Sequence, residues 1–464
     1  QGTQSFPQVR AYGLTIGSTE RIRTVREGFP LSAVFFLLSR HTAPLPQNHC
    51  FGSTMLHAVY DFLDHGRDLV IQWQRELTAR PAVGPENKGV GEEEKAAWLT
   101  GELASLGVSD LRQHFCPDAR VPSGRRPNIS ARVPGKSPIT LWVIGHMDVV
   151  PPGEERLWDS PPFQLRVEGD YLYGRGVEDN HQAIVTAMLA AKSLISNEVV
   201  PDISLGLLFV ADEETGMHHG LPHVLKSCDL IRPDDMLLVP DMGNRDGTMI
   251  EVAEKSCRWL RITVHGRQCH DSTPDLGINS LVAASACILE LETLYRLFRN
   301  KNPLFSPPWS TFVPSKKEAN IENINTMPGR DVFYLDCRVL PEYDIAEVEK
   351  EVRAIAASVA ARYRAAIDID VVHREQAPAA TPHDSAVIRR LKNVLKKQRG
   401  LDPAICGAGG QTVAACLRHR NLPAAVWATL IPNPHAPNER ARVSSTIEDA
   451  RVVVAMLFDD EGNY

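Results

Sequence analysis

The chain has 464 residues, 43% hydrophobic and 23% charged, with a formal net charge of -7. That is an ordinary globular composition, too long for one ordinary core, so two domains are expected. No block of Lys and Arg favours nucleic acid or an anionic membrane as a partner, which leaves small-molecule chemistry as the default.

Residues 1–54 carry Gly, Ser, Pro and scattered Arg without sustained periodicity and read as a peripheral extension, either flexible or lying ahead of a start at Met55. Inside it, the apolar run 33–38 follows Arg21, Arg23 and Arg26 as in a signal peptide, but no small-x-small cleavage site comes after it. No apolar run reaches the ~18 residues of a membrane-spanning helix. The nine cysteines (Cys50, Cys116, Cys228, Cys257, Cys269, Cys287, Cys337, Cys406, Cys416) are scattered and never spaced C-x-x-C. We therefore expect a cytoplasmic protein with buried thiols, not a disulfide framework or a thiolate zinc site.

From Leu56 the spacing of Val59, Phe62, Leu63, Leu69, Val70 and Trp73 predicts a helix, followed by a loop over 81–91. A second helix is expected over 92–106, closed by Gly107. Leu141, Trp142, Val143 and Ile144 read as a buried strand that ends in Gly145-His146-Met147-Asp148, with Pro151 stopping the ladder. A polar loop, 152–176, delivers Val177-Glu178-Asp179-Asn180 to a helix with Ile184, Ala187, Met188, Ala191 and Ile195 on one face. Three further strands are expected: 204–210 ending in Asp212-Glu213-Glu214-Thr215-Gly216, 236–239 ending in Pro240-Asp241, and 424–431 running into Pro432-Asn433-Pro434-His435. Ser445-Thr446-Ile447-Glu448 is a capping-box pattern for the last helix.

Residues 257–374 differ. They read as strand (257–265), helix (281–298), strand (310–315), strand (332–340), helix (345–363) and strand (367–372). That βαββαβ order is ferredoxin-like. It suggests a lid or dimerisation domain inserted into an α/β catalytic domain made of 56–256 and 375–464.

Four strand ends thus carry His146 with Asp148, Glu213 with Glu214, Asp241, and His435, and Asp179 begins a helix nearby. Alone, each has a plainer explanation: a loop histidine, a solvated turn, a helix cap. Together, two imidazoles and several carboxylates without cysteine suit a borderline metal such as zinc. Five ligands exceed what one catalytic zinc with an open position takes, and suit two metals sharing a carboxylate.

These segments resemble, together with Gly174-Arg175-Gly176-Val177-Glu178-Asp179, His270-Asp271-Ser272-Thr273-Pro274-Asp275-Leu276-Gly277-Ile278-Asn279 and Asn433-Pro434-His435-Ala436-Pro437-Asn438-Glu439, the di-zinc family of aminoacylases, acetylornithine deacetylases, succinyl-diaminopimelate desuccinylases, glutamate carboxypeptidases and carnosinase-type dipeptidases. The motifs keep that family's order from about residue 56 onward. The resemblance implies a zinc-exopeptidase-like α/β domain, its mixed and mostly parallel sheet lying between helices, with the inserted lid. By the same resemblance His146 and Asp241 would bind one zinc, Glu214 and His435 the other, and Asp179 would bridge them. Asp148 would orient His146, Glu213 would be general base and then acid, and His270 would supply an oxyanion donor, reaching the neighbouring subunit of a homodimer. Co2+ or Mn2+ would suit the same ligands.

Substrate recognition is implied for Asn325, within Asn323-Ile324-Asn325-Thr326-Met327-Pro328-Gly329, and for Arg338, whose fork suits a carboxylate unless it is simply paired with Asp336 or Glu342. Gly409 and Gly410 precede a helix and could meet an anion or form a tight turn. Two departures from the family pattern are Asp271 after His270 and His181 where many members have Lys. His181, His218, His219 and His223 are read as non-ligands. The expected function is metal-dependent cleavage of the amide bond of a small N-acyl amino acid, the alternative a dipeptidase or carboxypeptidase. A binding protein without turnover is opposed by the intact Glu213.

Overall fold

In the computed structural model, residues 49–458 are described; the expectations for 1–48, including the run 33–38, lie outside them. An eight-stranded mixed sheet runs in the order Ser109–Pro117, Arg125–Val133, Ile203–Val210, Ser137–His146, Met236–Asn244, Ala424–Thr429, Met249–Glu254 and Ala404–Ala408. The central strands from Ile203 to Thr429 pair in parallel. Strands buried on both faces must be apolar throughout, and Ser137–His146 shows how. Leu141 and Val143 join the core beneath the helices His181–Ser196 and Val443–Ala455, whereas Trp142 and Ile144 join the opposite core with Leu208, Val239 and Leu417.

A second sheet has the order Thr311–Lys317, Arg330–Val339, Ser256–His265 and Ala366–Glu375, with every neighbour antiparallel. The helices Ser280–Leu291 and Ile345–Tyr363 share a separate core with it, in which Leu260, Ile262, Phe333 and Leu335 meet Ala284, Val348 and Val352.

Several local expectations change. The helix expected from Leu56 through Trp73 is two, His49–Asp64 and Arg67–Thr78, broken at His65-Gly66, and 281–298 is Ser280–Leu291 followed by the short Leu294–Leu297. The last helix starts earlier, at Val443, so Ser445 is buried in its first turn and no capping box forms; Ser444 instead bonds Asp170. The strand from Met236 runs on to Asn244 because a register shift lets Gly243 and Asn244 pair with Ala428 and Thr429. Asp241 therefore lies inside a strand, not after one.

Candidate metal centre

Parallel strands deliver their carboxyl ends to one edge, where open α/β sheets bind ligands. His146 closes the strand Ser137–His146, and Glu213 and Glu214 occupy the turn after Ile203–Val210. Asp212 pins that turn: Oδ1 accepts from the Thr215 hydroxyl at 2.6 Å and Oδ2 from the His219 amide at 3.0 Å. Asp179 stands just ahead of the helix His181–Ser196, and His435 rides the loop after Ala424–Thr429.

Asp179 sits between the two imidazoles. Its Oδ1 lies 3.0 Å from Nε2 of His146, and its Oδ2 lies 3.1 Å from Nε2 of His435. Asp241 lies 3.6 Å from His146 Nε2, and Glu214 lies 3.2 Å from His435 Nε2. Ligand-capable atoms of His146, Asp179 and Asp241 converge, as do those of Asp179, Glu214 and His435, and Glu213 converges with His146 and Glu214.

The donor set is more negative than its imidazoles can balance. Burial, together with Asp241, Glu214 and Asp179, pushes Glu213 well above the usual carboxylate range although His146 opposes it. Burial and Asp179 raise Glu214 to about 7, and hydrogen bonds to Asp179 and Glu214 push His435 up to about 10. Oε1 of Glu214 is buried with no hydrogen-bond partner. Surplus carboxylate charge and an orphaned oxygen among oxygen and nitrogen donors fit a divalent cation.

Asp148 faces the second ring nitrogen of His146 and has further partners. Nδ1 of His146 lies 3.0 Å from the Asp148 carbonyl and 3.5 Å from its carboxylate. The carboxylate also accepts the amides of Glu213 and Glu214, both at 3.0 Å, so it locks the Glu213-Glu214 turn to the His146 strand. Either contact leaves Nε2 of His146 facing the other donors. The sequence reading assigned no role to Asn180 or Glu439. The Asn180 amide donates to Asp241 at 2.6 Å. The Glu439 carboxylate, fully buried, accepts from Arg175 at 2.6 Å and from the amides of Gly176, Glu178 and Asp179. It thereby fixes the loop that carries Asp179. Its place inside the His435 motif was the only sequence signal.

A cavity of about 780 Å3 opens onto Glu213, Glu214 and His435, and its far wall carries Trp259, Arg338 and Gly410. Arg338 bonds Asp336 at 2.9 Å and the Gly409 carbonyl at 3.3 Å, so both the paired and the cavity-facing descriptions hold. His270 and Asn325 are brought to each other but do not line this cavity. His270 is exposed and its Nδ1 accepts from Ser272, while the Asn325 carbonyl accepts the Asp271 amide at 3.2 Å. Of the extra histidines, His218 lines the cavity, His219 bonds Asp212 and His181 is buried; none joins a ligand group among the described residues.

The model of the peptidase family M20/M25/M40 matches residues 142–459. The chain belongs to that family. M20 members hydrolyse amide or peptide bonds, and this chain is such a metallohydrolase. It is 34% identical over 412 residues to an uncharacterised metallohydrolase of Methanococcus maripaludis, covering 84% of this chain and 99% of that one. A succinyl-diaminopimelate desuccinylase of Marinobacter nauticus is 26% identical, over 73% of this chain and 85% of its own. Among solved M20-like folds, the Saccharomyces cerevisiae di-peptidase Dug1p superposes with a TM-score of 0.70 at 15% identity, over 87% of this chain and 98% of that one. Human carnosine dipeptidase 1 gives 0.68 at 15% identity, with the same coverage. Among the described residues no helix is long and apolar enough to cross a membrane.

Proposed function

We propose that the chain is a two-zinc amidohydrolase that removes the acyl group from a small N-acyl amino acid. The observation that carries this reading is Asp179, whose two oxygens face different imidazoles. His146 and Asp241 would hold one ion, Glu214 and His435 the other, with Asp179 shared; Co2+ or Mn2+ would suit the same donors. Two such ions would lower the pKa of a shared water and polarise the scissile carbonyl.

Glu213 takes the proton of the attacking water and returns it to the leaving nitrogen, since it is buried beside the ligands without being needed as one. Arg338 reads the free carboxylate of the substrate from the cavity wall, with Gly409 and Gly410 shaping its surroundings. Deacylase is favoured over dipeptidase by the remaining acids of the cavity. Glu86 is already paired with Arg120 and Glu375 with His419 at 3.1 Å, so a substrate ammonium would have to compete with these partners.

The second sheet with its two helices, residues 257–374, would serve as an inserted ferredoxin-like lid on a catalytic domain of 56–256 and 375–464. His270 and Asn325, remote from this cavity, would then complete the site of a second copy in a homodimer. The described cysteines are all free, in keeping with a cytoplasmic setting. The test is a panel of N-acetyl and N-succinyl amino acids and dipeptides, assayed before and after chelation. Chelation should abolish turnover, and Glu213→Gln should retain both metals while kcat falls about 10²–10⁴-fold. Turnover that survives chelation, or a kcat that Glu213→Gln leaves unchanged, would sink the mechanism.

A further inference from the structure

Behind the ligands lies a buried cation that the reaction scheme leaves unused. Lys95, in the first turn of the helix Glu93–Leu106, is 1% exposed. Its ammonium donates to the Met147 carbonyl at 2.8 Å and meets Nε2 of His181 at 2.7 Å. Met147 lies between His146 and Asp148, and its own amide is fixed by the Val210 carbonyl at 2.8 Å. His181 opens the helix that follows Asp179 and is also 1% exposed. With the lysine protonated, Nε2 accepts and the ring proton sits on Nδ1, which is buried without a partner. The ring is held in place from the other side. At Gly176, with φ +87, a Cβ would come within 2.6 Å of the His181 ring.

We propose that Lys95 is a positioning residue for the metal centre, tying the strand end that carries His146 and Asp148 to the helix start behind Asp179. Three elements distant in sequence, a helix start, a strand end and a second helix start, meet at this one ammonium. An apolar side chain of similar length would fill the space and bond neither group. Burial pulls Lys95 down to about 7, and the buried carboxylates Asp148, Glu92 and Glu439, none of which bonds it directly, offset that only in part. Because the Met147 carbonyl is one residue from His146, whereas Glu214 is reached only through Asp148, loss of the contact should fall on the His146 metal more than on the other.

The inference rests on the two-metal reading, so the unaltered chain is titrated alongside. Metal-free full-length protein is titrated with Zn2+ against a competing chelator, and its thermal unfolding is followed in parallel. Lys95→Met should weaken one of the two binding steps by about 10–100-fold, the usual cost of losing an outer-shell partner, and leave the other within ~3-fold. If that variant does not fold, the neighbouring position decides. His181→Leu should weaken the same step, and His181→Gln, whose amide oxygen can accept from the ammonium, should restore most of it. Equal weakening of both steps with a matching fall in metal-free Tm would mean structural support only and overturn the proposal, as would unchanged affinities. Fewer than two steps in the unaltered chain would instead refute the two-metal reading, and the inference with it.

Discussion

His146 and His435 face the same Asp179 carboxylate, yet the first is 2% exposed at the end of a strand flanked on both sides, and the second is 55% exposed on a loop between prolines. One half of the centre is fixed before anything binds: His146 is backed by Asp148, and Asp241 is a strand residue held by Asn180. The other half stands on a solvent-exposed loop, where His435 has less packing to keep it in place. The rigid half should therefore hold its ion more tightly, and the loop half should exchange.

Paired ligand variants break this contrast most strongly. His146→Ala should lower kcat/KM by about three orders of magnitude, several kcal/mol at about 1.4 kcal/mol per tenfold, and leave metal content at one ion or fewer by elemental analysis. His435→Ala should reduce activity comparably yet keep one tightly held ion, resistant to a chelator that strips the other. Equal metal loss in both variants would mean that the halves do not differ.

A smaller effect is expected at the cavity wall. Arg338→Ala should raise KM about 10–100-fold for N-acyl amino acids, the worth of one hydrogen bond to a charged group, with little change in metal content. An unchanged KM would remove Arg338 from carboxylate recognition and leave it as the partner of Asp336.

The least effect concerns Glu251 and Glu254, two buried carboxylates facing the single guanidinium of Arg418 at 2.8 and 3.5 Å. Burial raises Glu251 to about 8 from 4.5; Arg418 opposes this and Glu254 adds to it. A folded-state value above the unfolded one means stability that is complete below about pH 4.5 and lost as pH rises through about 8. Tm should thus decline across that window, and Glu254→Gln, which leaves Arg418 one carboxylate to balance, should flatten the slope. An equally steep slope in the variant would place the titration elsewhere.

The candidate site residues were legible because their signal is local: a polar residue directly after an apolar strand needs no distant information. Thus His146, Glu213, Glu214 and His435 could be named from strand ends, although Asp241 lies within its strand. The strands Ser109–Pro117, Arg125–Val133, Met249–Glu254 and Ala404–Ala408, and the helix Ala386–Arg399, were not singled out. Ser109–Pro117 is largely exposed at the sheet edge, and a lone antiparallel edge strand needs little apolar pattern. The capping-box reading at Ser445 failed because Asp170 and the short strand beside it draw the helix start back to Val443.

By itself the sequence determined which side chains could bind metal and the order in which the chain presents them. Only the tertiary structure decided what holds them. Asp148 grips the Glu213 turn, Glu439 grips the Asp179 loop and Lys95 bridges two elements, because each is a charged group whose partners are distant in sequence and whose role depends on burial. A lone lysine in a helix looks solvated until the packing around it excludes water, and no periodicity records that.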